Sequence, residues 1–463
     1  MKKNDIQTNK KITRRELLKR GLYGGLATSL WINGCSPGPS AKKTNIILMT
    51  LDTTRADHLG CYGYHRNTSP NLDELSQRSI IYTNAIAPAS WTLPSHASLF
   101  TGKFTTSHGV QYDPQGSLKL TNAIRGPKGR QVPRARGLAQ DETTLAQILR
   151  QTGYKTGAVV GGPWLKKVFG FQKGFDFYDD RQISSVNGRL AIQINDAAIS
   201  WLKEINSKNF FLFLNYFDPH GPYCPPAPYG FKFLPPGISP NDKTRSTEKM
   251  LALYDAEILY MDHYIGQLIQ FLKAKKAFDN TWFIITADHG ELLGEHGKLG
   301  HGHYLFQQEI HVPLFMKYPG SEVPPSKTNS PVQLTDLLPL ICERLELSPP
   351  TNIQGNAPPQ INHPLLAEAY PLQILTKDGH WRAYFENNFK YLWNSRGNHL
   401  LYNLKNDPRE LKNLIAQKPS IAADMLQKLN KYLASLPQPG LAAPAQQLDE
   451  QTKKALKSLG YVK

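Results

Sequence analysis

The chain has 463 residues, of which 40% are hydrophobic, enough for one large α/β domain with a smaller appendage. It contains 54 Lys and Arg against 37 Asp and Glu, and the formal net charge of +17 suits an anionic surface or an anionic substrate. The sequence has no zinc-finger spacing and no RNA-binding signature, so nucleic acid is a weak alternative and we expect none as a partner.

Residues 1–35 have the pattern of an export signal. The adjacent Arg14 and Arg15 precede an apolar, Gly- and Ala-containing stretch that is short for a membrane span. This arrangement resembles a twin-arginine signal, which carries folded proteins across the bacterial inner membrane. The closing "INGC" has two interpretations: a lipoprotein cleavage site at which Cys35 is acylated, or an ordinary export signal in which Cys35 is incidental. The sequence therefore predicts a periplasmic protein or a lipoprotein anchored to the membrane through Cys35.

A linker at residues 36–44 leads into a large predicted α/β domain at 45–355. Its apolar runs alternate with amphipathic helical patterns, which is typical of a doubly wound, mostly parallel sheet flanked by helices. The runs that predict buried strands are "TNIILMTLD", "KTGAVVGG", "FFLFLNYFD" and "TWFIITADHG". In such a sheet, polar residues just beyond the carboxyl ends of strands gather at one edge, as we expect for Asp52, Asp218 and Asp288.

Residues 114–140 are rich in Gly, Pro and basic side chains and contain no acid. Two interpretations stay open for this basic segment: a solvated surface loop, or a basic lid over an anionic substrate. Its basic residues are Lys119, Arg125, Lys128, Arg130, Arg134 and Arg136.

The pattern changes after about residue 355. Residues 356–463 contain the short alternating strands and the "SRGN" turn of an antiparallel meander, followed by the helical pattern "AADMLQKLNKYLASL". We therefore expect a smaller C-terminal α+β domain that contains an antiparallel sheet.

Three separated stretches predict a site for a divalent metal ion beside a nucleophile. Asp52 ends the first strand, Asp288 and His289 end a late one, and Thr92 lies in the turn before "PSHASLF", which is helical in pattern. Two carboxylates, one imidazole and one hydroxyl are suitable ligands for such an ion. A metal bound to the threonine oxygen would lower the pKa of its hydroxyl and make it a nucleophile.

Seven motifs occur in one order along nearly the whole mature chain: "LDTTRADHLGCYGY", "TLPSHASLFTG", "FDPHGPY", "ADHGELLGEHGKLGHG", "HVPL", "LYNLKNDPRE" and "LKSLGYV". Together they resemble the sulfatase family of the alkaline phosphatase superfamily. The resemblance implies an alkaline-phosphatase-like fold and an ester hydrolase. It also implies that Asp52, Asp288 and His289 bind one metal ion, which Thr92 touches from the nucleophile position.

Further side chains take their expected roles from the same resemblance. His220, in "DPH", falls on the family histidine that hydrogen-bonds the transferring group or the leaving oxygen. His301, in "GHG", falls where many sulfatases have a lysine that holds the anionic oxygens of the substrate. His96 replaces the arginine of the Cys-x-Pro-x-Arg motif, and we count these three histidines among the catalytic candidates.

Two basic residues are candidates for substrate binding. Lys298 lies between the histidines of "GEHGKLGHG". Arg55 either clamps an anion with two hydrogen bonds or pairs with the nearby Asp57, and the sequence leaves both alternatives open.

Three departures from the family pattern bear on the chemistry. Thr53 stands where a sulfatase usually has a second aspartate, which removes one charge from the metal site. His289 stands where calcium-dependent sulfatases have asparagine, which shifts the preference from calcium toward manganese or zinc and leaves the metal's identity open. Thr92 cannot be converted to formylglycine, which is made from cysteine or serine, so no formylglycine is expected.

Thr92 also decides between types of ester chemistry. Threonine lacks the second hydroxyl with which hydrated formylglycine expels the sulfuryl group, so water must break the threonine ester. This favours phosphoryl transfer or a sulfatase-like variant. The sequence therefore predicts an exported, metal-dependent hydrolase or transferase. The expected substrate is a sulfate or phosphate ester of a small molecule or of a glycan. The alternative is a catalytically inactive protein that binds anionic glycans at the cell surface, and the oligomeric state stays open.

Overall fold

The computed structural model describes residues 44–113, 116–119, 134–183, 188–206, 209–242, 246–320, 322–371, 379–440 and 448–458. These residues belong to one compact unit. The predicted export signal with Cys35 and the linker up to residue 43 lie outside the described residues, as do Arg125, Lys128 and Arg130 of the basic segment.

The strands, numbered in chain order, are β1 (Asn45–Leu51), β2 (Ile80–Ile86), β3 (Leu118–Lys119), β4 (Arg134–Ala135), β5 (Lys155–Val160), β6 (Phe177–Asp179), β7 (Phe210–Tyr216), β8 (Thr281–Thr286), β9 (Leu292–Leu293), β10 (Leu299–Gly300), β11 (His311–Lys317), β12 (Ser326–Thr328), β13 (Val332–Gln333), β14 (Leu365–Ala369), β15 (Trp381–Glu386), β16 (Phe389–Asn394) and β17 (Leu400–Asn403). The α-helices are α1 (Pro70–Ser76), α2 (Thr92–Thr101), α3 (Thr105–His108), α4 (Leu145–Gln151), α5 (Ala191–Glu204), α6 (Thr247–Ala274), α7 (Gln307–Ile310), α8 (Leu337–Arg344), α9 (Pro419–Ser435) and α10 (Glu450–Ser458). Within the described part of the chain, no helix is both long and apolar enough to cross a membrane.

The main sheet, as far as the chain is described, has nine strands in the order β12-β2-β11-β8-β1-β7-β5-β6, with β13 also paired to β2. Strand β1 pairs in parallel with both β7 and β8, and β5 extends the parallel arrangement beyond β7. Strand β11 is antiparallel to both of its neighbours. This arrangement confirms the predicted mostly parallel sheet, and it brings the carboxyl ends of β8, β1 and β7 side by side at one edge.

Two layers of helices cover the main sheet, one on each face. Successive side chains of a strand point to opposite faces, so Ile46 packs in the core that contains Phe100 of α2. Its neighbour Ile47 packs in the other core, with Ile258 of α6. Because β1 is buried on both faces, its sequence is a continuous apolar run and does not alternate.

The C-terminal sheet is antiparallel, with the order β14-β15-β16-β17. Helix α9 covers one face, where Tyr384 and Leu401 pack with Met425 and Leu429. Residues that point the other way, such as Ala383, join the hydrophobic core of the main sheet. These strands confirm the predicted antiparallel C-terminal sheet, while the boundary of a separate C-terminal domain stays a prediction.

A buried ion pair ties the C-terminal sheet to the segment that precedes β11. Lys390 Nζ in β16 lies 2.7 Å from Glu410 Oε1, and neither side chain is exposed. Glu410 Oε2 accepts a hydrogen bond from the backbone N–H of Gln307, the first residue of α7, at 2.6 Å. Burial lowers the pKa of Lys390, and the Glu410 carboxylate opposes that shift, so each charge depends on its partner.

Lys390→Met should lower the free energy of unfolding by about 3–5 kcal/mol, because Glu410 would be left as a buried carboxylate without its cation. Urea denaturation followed by tryptophan fluorescence measures the change. The control is Glu74→Gln, which breaks a surface ion pair with Lys273 that is worth only about 0–1 kcal/mol. Equal losses in the two variants would contradict the importance of the buried pair.

Candidate active site

Three side chains from two adjacent strand ends form a buried group with metal-ligand chemistry. Asp52 directly follows β1, and Asp288 and His289 follow β8. Their ligand atoms lie within 4.8 Å of one another, and this is the only such group of His, Cys, Asp and Glu side chains in the part of the chain that is described. The structure thus brings together the three side chains that the sequence singled out as metal ligands.

The carboxylate oxygens of this group lack the donors that buried carboxylates need. Asp52 Oδ1 and both side-chain oxygens of Asp288 are buried and accept no hydrogen bond within the described residues. Burial raises the pKa of both carboxyl groups, and the proximity of Asp288 raises that of Asp52 further. Because unpaired buried carboxylates are costly and a divalent cation removes that cost, the residues present fit a metal ion.

The orientation of His289 also suits metal binding. Its Nδ1 donates to the carbonyl oxygen of Gly290 at 2.9 Å, which leaves the lone pair on Nε2. Nε2 lies 3.4 Å from Asp288 Oδ2 and 3.9 Å from Asp52 Oδ1. Burial lowers the pKa of His289 to about 3, so the ring is neutral, the form in which imidazole binds metals.

Helix α2 places the hydroxyl of Thr92 beside the same group. Thr92 is the first residue of the helix, and its Oγ1 lies 3.3 Å from His289 Nε2. The hydroxyl of Ser95 donates to the carbonyl oxygen of Asp288 at 2.6 Å, which ties the first turn of α2 to the end of β8. Thr92 therefore shares one buried space with the carboxylates, and it lies at a helix N-terminus, where anions are favoured.

His96 lies under the Thr92 turn, where both of its ring nitrogens have partners. Nδ1 donates to the carbonyl oxygen of Thr92 at 2.9 Å, so Nε2 accepts from the hydroxyl of Thr50 at 3.0 Å. Thr50 Oγ1 accepts from Asn215 Nδ2 at 3.2 Å, and the same amide nitrogen lies 3.4 Å from Asp52 Oδ2. Burial lowers the pKa of His96, so a neutral chain of hydrogen bonds connects the turn to Asp52. The catalytic role of His96 stays a prediction.

Sequence reasoning missed Asn215. Its Oδ1 accepts from the backbone N–H groups of Gly161 and Gly162 at 3.2 and 3.0 Å, which fixes the amide between β5 and β1. The available signal was a single amide in the otherwise apolar strand "FFLFLNYF".

His220 and His301 lie beside His289. The ring of His301 lies 4.5 Å from that of His289 and 4.9 Å from that of His220, measured between centroids. His220 donates from Nδ1 to the carbonyl oxygen of Gly221 at 2.8 Å and stacks on Phe217. Burial lowers the pKa of both histidines to about 3. The two predicted catalytic histidines thus lie next to the group formed by Asp52, Asp288 and His289, and their roles stay predictions.

Comparison with known proteins decides the family. A profile of the sulfatase family matches residues 44–347, more than half of the chain. The chain belongs to the sulfatase family. It is 23% identical over 444 residues to an ulvan-active sulfatase of Formosa agariphila, covering 85% of this chain and 82% of that protein.

Solved structures show the same fold as this sulfatase-family chain. The phosphonate monoester hydrolase of Agrobacterium radiobacter superposes with a TM-score of 0.68 at 20% identity, covering 85% of this chain and 96% of that one. A structure in complex with its substrate D-glucosamine-2-N,6-O-disulfate superposes with a TM-score of 0.67 at 19% identity, covering 84% and 97%. The chain therefore has the alkaline-phosphatase-like fold of its superfamily, and its family hydrolyses sulfate or phosphate esters.

The sulfatase-family site contains one further buried acid that sequence reasoning missed. Glu291 Oε1 accepts from His301 Nδ1 at 3.0 Å. Burial raises the pKa of Glu291 to about 7, while the neighbouring imidazoles and Tyr223 lower it. The available signal was an acid only two residues beyond His289, followed by two apolar residues.

Arg55 forms the local pair that the sequence offered as one of two alternatives. Its Nε and one terminal nitrogen donate to the two oxygens of Asp57 at 2.9 and 2.7 Å. The other terminal nitrogen donates to Glu295 Oε1 at 2.6 Å and to the carbonyl oxygen of Glu291 at 3.2 Å. The guanidinium therefore holds the loop after β8 in place, and its role in substrate binding stays a prediction.

Lys298 and Asp218 do not belong to the group formed by Asp52, Asp288 and His289. Lys298 Nζ lies 4.8 Å above the ring of Tyr304, and its role in substrate binding stays a prediction. Asp218 follows β7 at the same edge of the sheet, but its Oδ1 accepts from the backbone N–H of Ala191, the first residue of α5, at 2.9 Å. Asp218 thus caps a helix next to the site.

The described ends of the basic segment carry arginines with local partners. Arg136 Nε donates to Asp113 Oδ2 at 3.0 Å, and Arg134 Nε donates to the carbonyl oxygen of Gly116. The interpretations of this segment as a surface loop or as a lid both stay predictions.

Asp288→Asn should weaken the binding of Mn²⁺ or Zn²⁺ by more than about 100-fold, because groups that only support a ligand are already worth about 10–100-fold. Isothermal titration calorimetry on protein stripped with a chelator measures the change. Asp218→Asn is the matched control, since it replaces a buried carboxylate at the neighbouring strand end and keeps the oxygen that caps α5. A similar loss of affinity in both variants would contradict this metal site.

Proposed function

We propose that the protein is an exported, metal-dependent hydrolase or transferase of sulfate or phosphate esters that uses Thr92 as its nucleophile. One observation carries the proposal: Thr92 Oγ1 lies 3.3 Å from Nε2 of His289, within the buried group that contains Asp52 and Asp288. The family and its ester chemistry support it.

The side chains around Thr92 can share the work of such a reaction. A divalent ion held by Asp52, Asp288, His289 and Thr92 would lower the pKa of the Thr92 hydroxyl and offset the charge of the substrate. The Thr92 oxygen attacks the phosphorus or sulfur atom, and the bond to the leaving oxygen breaks. His220 and His301 donate a hydrogen bond or a proton to that oxygen, since an anionic substrate favours their charged forms. Water or an acceptor alcohol then displaces Thr92 and restores its hydroxyl.

The choice of ester follows from the nucleophile. Threonine has no second hydroxyl with which to expel a sulfuryl group, so we propose that no formylglycine is formed and that a phosphate or phosphonate ester is preferred. The structural likeness to a phosphonate monoester hydrolase supports this preference. The likeness to an ulvan-active sulfatase and to a complex with a sulfated glucosamine supports a glycan ester as the other substrate class.

A second candidate function is a protein that binds anionic glycans without turning them over. One reason is that position 92 has no cysteine or serine from which formylglycine could be made. The other is that Thr92 is buried, with only 1% of its surface exposed. Binding of sulfated glycans without turnover of any ester would favour this candidate.

Thr92→Ala should lower kcat by at least about 1,000-fold, because it removes the attacking oxygen. The assay uses purified protein, stripped of metal and reloaded with calcium, manganese or zinc. Its substrates are an aryl sulfate, a phosphate monoester, a phosphate diester and a phosphonate monoester. Thr92→Ser should retain turnover, since it keeps the hydroxyl.

Thr101→Ala is the matched control for this substitution. It removes a hydroxyl from the same helix, where Thr101 Oγ1 donates only to the carbonyl oxygen of Ala97 at 2.7 Å. Unchanged kcat in Thr92→Ala would contradict the assignment of Thr92 as the nucleophile. If the unmodified protein hydrolyses none of the four esters, the result would favour the glycan-binding function.

We further propose that residues 1–35 export the folded protein, so that it is periplasmic or anchored through an acylated Cys35. Replacing Arg14 and Arg15 together by lysine should retain the protein in the cytoplasm, as measured by cell fractionation. Replacing Lys10 and Lys11 by arginine is the charge-matched control and should leave export intact. Export of the twin-lysine variant would contradict the proposal, and labelling of Cys35 with palmitate tests the anchor.

A further inference from the structure

We propose that Glu291 is a positioning residue that fixes the orientation and tautomer of His301. The inference rests on the proposed function for its effect on turnover, while the geometry of the pair stands by itself. Glu291 is buried, it was not among the catalytic candidates, and its carboxylate contacts His301.

The carboxylate of Glu291 lies close to two loops of the site. Its Oε1 accepts from Nδ1 of His301, which lies just beyond β10, at 3.0 Å. The hydroxyl of Tyr223, which lies in the loop that carries His220, is near enough to lower the pKa of the same carboxyl group. Glu291 is thus close to both of the loops that bring His220 and His301 into ring contact, with centroids 4.9 Å apart.

The backbone of Glu291 is held firmly enough to act as a support. Its N–H donates to the carbonyl oxygen of Gln308 at 2.9 Å. Its carbonyl oxygen accepts from Arg55 at 3.2 Å, and the two oxygens of Asp57 and the side chain of Glu295 hold that guanidinium in turn. Hydrogen bonds therefore fix the backbone of Glu291 on both sides of its Cα, which limits the positions that its carboxylate can take around His301.

The chemical consequence is a defined tautomer. The oxygen of Glu291 that accepts from Nδ1 at 3.0 Å keeps the proton of neutral His301 on that nitrogen and makes Nε2 the acceptor. His301 reaches this neutral form once its Nε2 proton has passed to the leaving oxygen, and the acceptor then suits the step that breaks the Thr92 ester. In that step a water proton passes to His301 Nε2 while the water oxygen bonds to phosphorus or sulfur. The bond to Thr92 Oγ1 breaks, and Oγ1 keeps its electron pair.

Two readouts test the proposal on the purified protein. Glu291→Ala should lower kcat by about 100-fold or more, within the usual range for acid–base catalysis, and leave KM and metal content little changed. Glu291→Gln should retain more activity, because its amide oxygen still accepts from Nδ1. In ¹⁵N spectra of the imidazoles at pH 8.5, assigned with His301→Gln, the His301 signals should move from the Nδ1–H tautomer toward Nε2–H in Glu291→Ala.

The matched control is Glu309→Gln. Glu309 is a neighbouring, fully buried acid whose Oε1 accepts from the backbone N–H of Tyr304 at 3.4 Å, so its replacement should change neither readout. An unchanged His301 tautomer in Glu291→Ala, or a changed tautomer with unchanged kcat, would overturn the inference. If the unmodified protein hydrolyses no ester, the proposed function fails, and the tautomer measurement still decides whether Glu291 positions His301.

Discussion

The arrangement of the site depends on two carboxylates that are buried side by side. Asp52 and Asp288 extend from neighbouring parallel strands, so the sheet itself sets their separation, and water does not solvate them. Ionised carboxylates in such a place require a cation. The neutral His289 and the Thr92 hydroxyl lie beside these carboxylates, and each of them is oriented by a hydrogen bond or by a helix and not by solvent.

The segment between Asp52, at the end of β1, and Arg55 shows how closely the elements are joined. Thr53 has a left-handed backbone conformation, with φ of 54°, which is uncommon for a β-branched residue. Its hydroxyl donates to the carbonyl oxygen of Pro219 at 2.9 Å, next to His220, and its carbonyl oxygen accepts from Tyr254 at 2.8 Å. Thr53 therefore joins β1 to the His220 loop and to α6.

The sequence predicted those parts of the site that follow from general rules of protein folds. Polar residues at the ends of apolar strands predicted the grouping of Asp52 and Asp288, because parallel strands end at one edge. The same rule also drew attention to Asp218, whose side chain instead caps α5, because the pattern of a strand does not show which way the next side chain turns. Asn215 and Glu291 were missed, since their partners are brought to them only by sheet order and by the packing of loops.

On the proposed function, two departures that the sequence resemblance implies, Thr92 and His301, become one change when they are considered together. A formylglycine hydrate releases its product with its own second hydroxyl, whereas a threonine ester must be opened by water that loses a proton. A lysine at the position of His301 would be protonated at neutral pH and could only hold an anion, whereas a neutral imidazole can accept that proton. On the proposed function, Thr92 creates the need for a proton acceptor and His301 provides it. The carboxylate of Glu291, 3.0 Å from Nδ1, leaves Nε2 as the nitrogen that receives the proton.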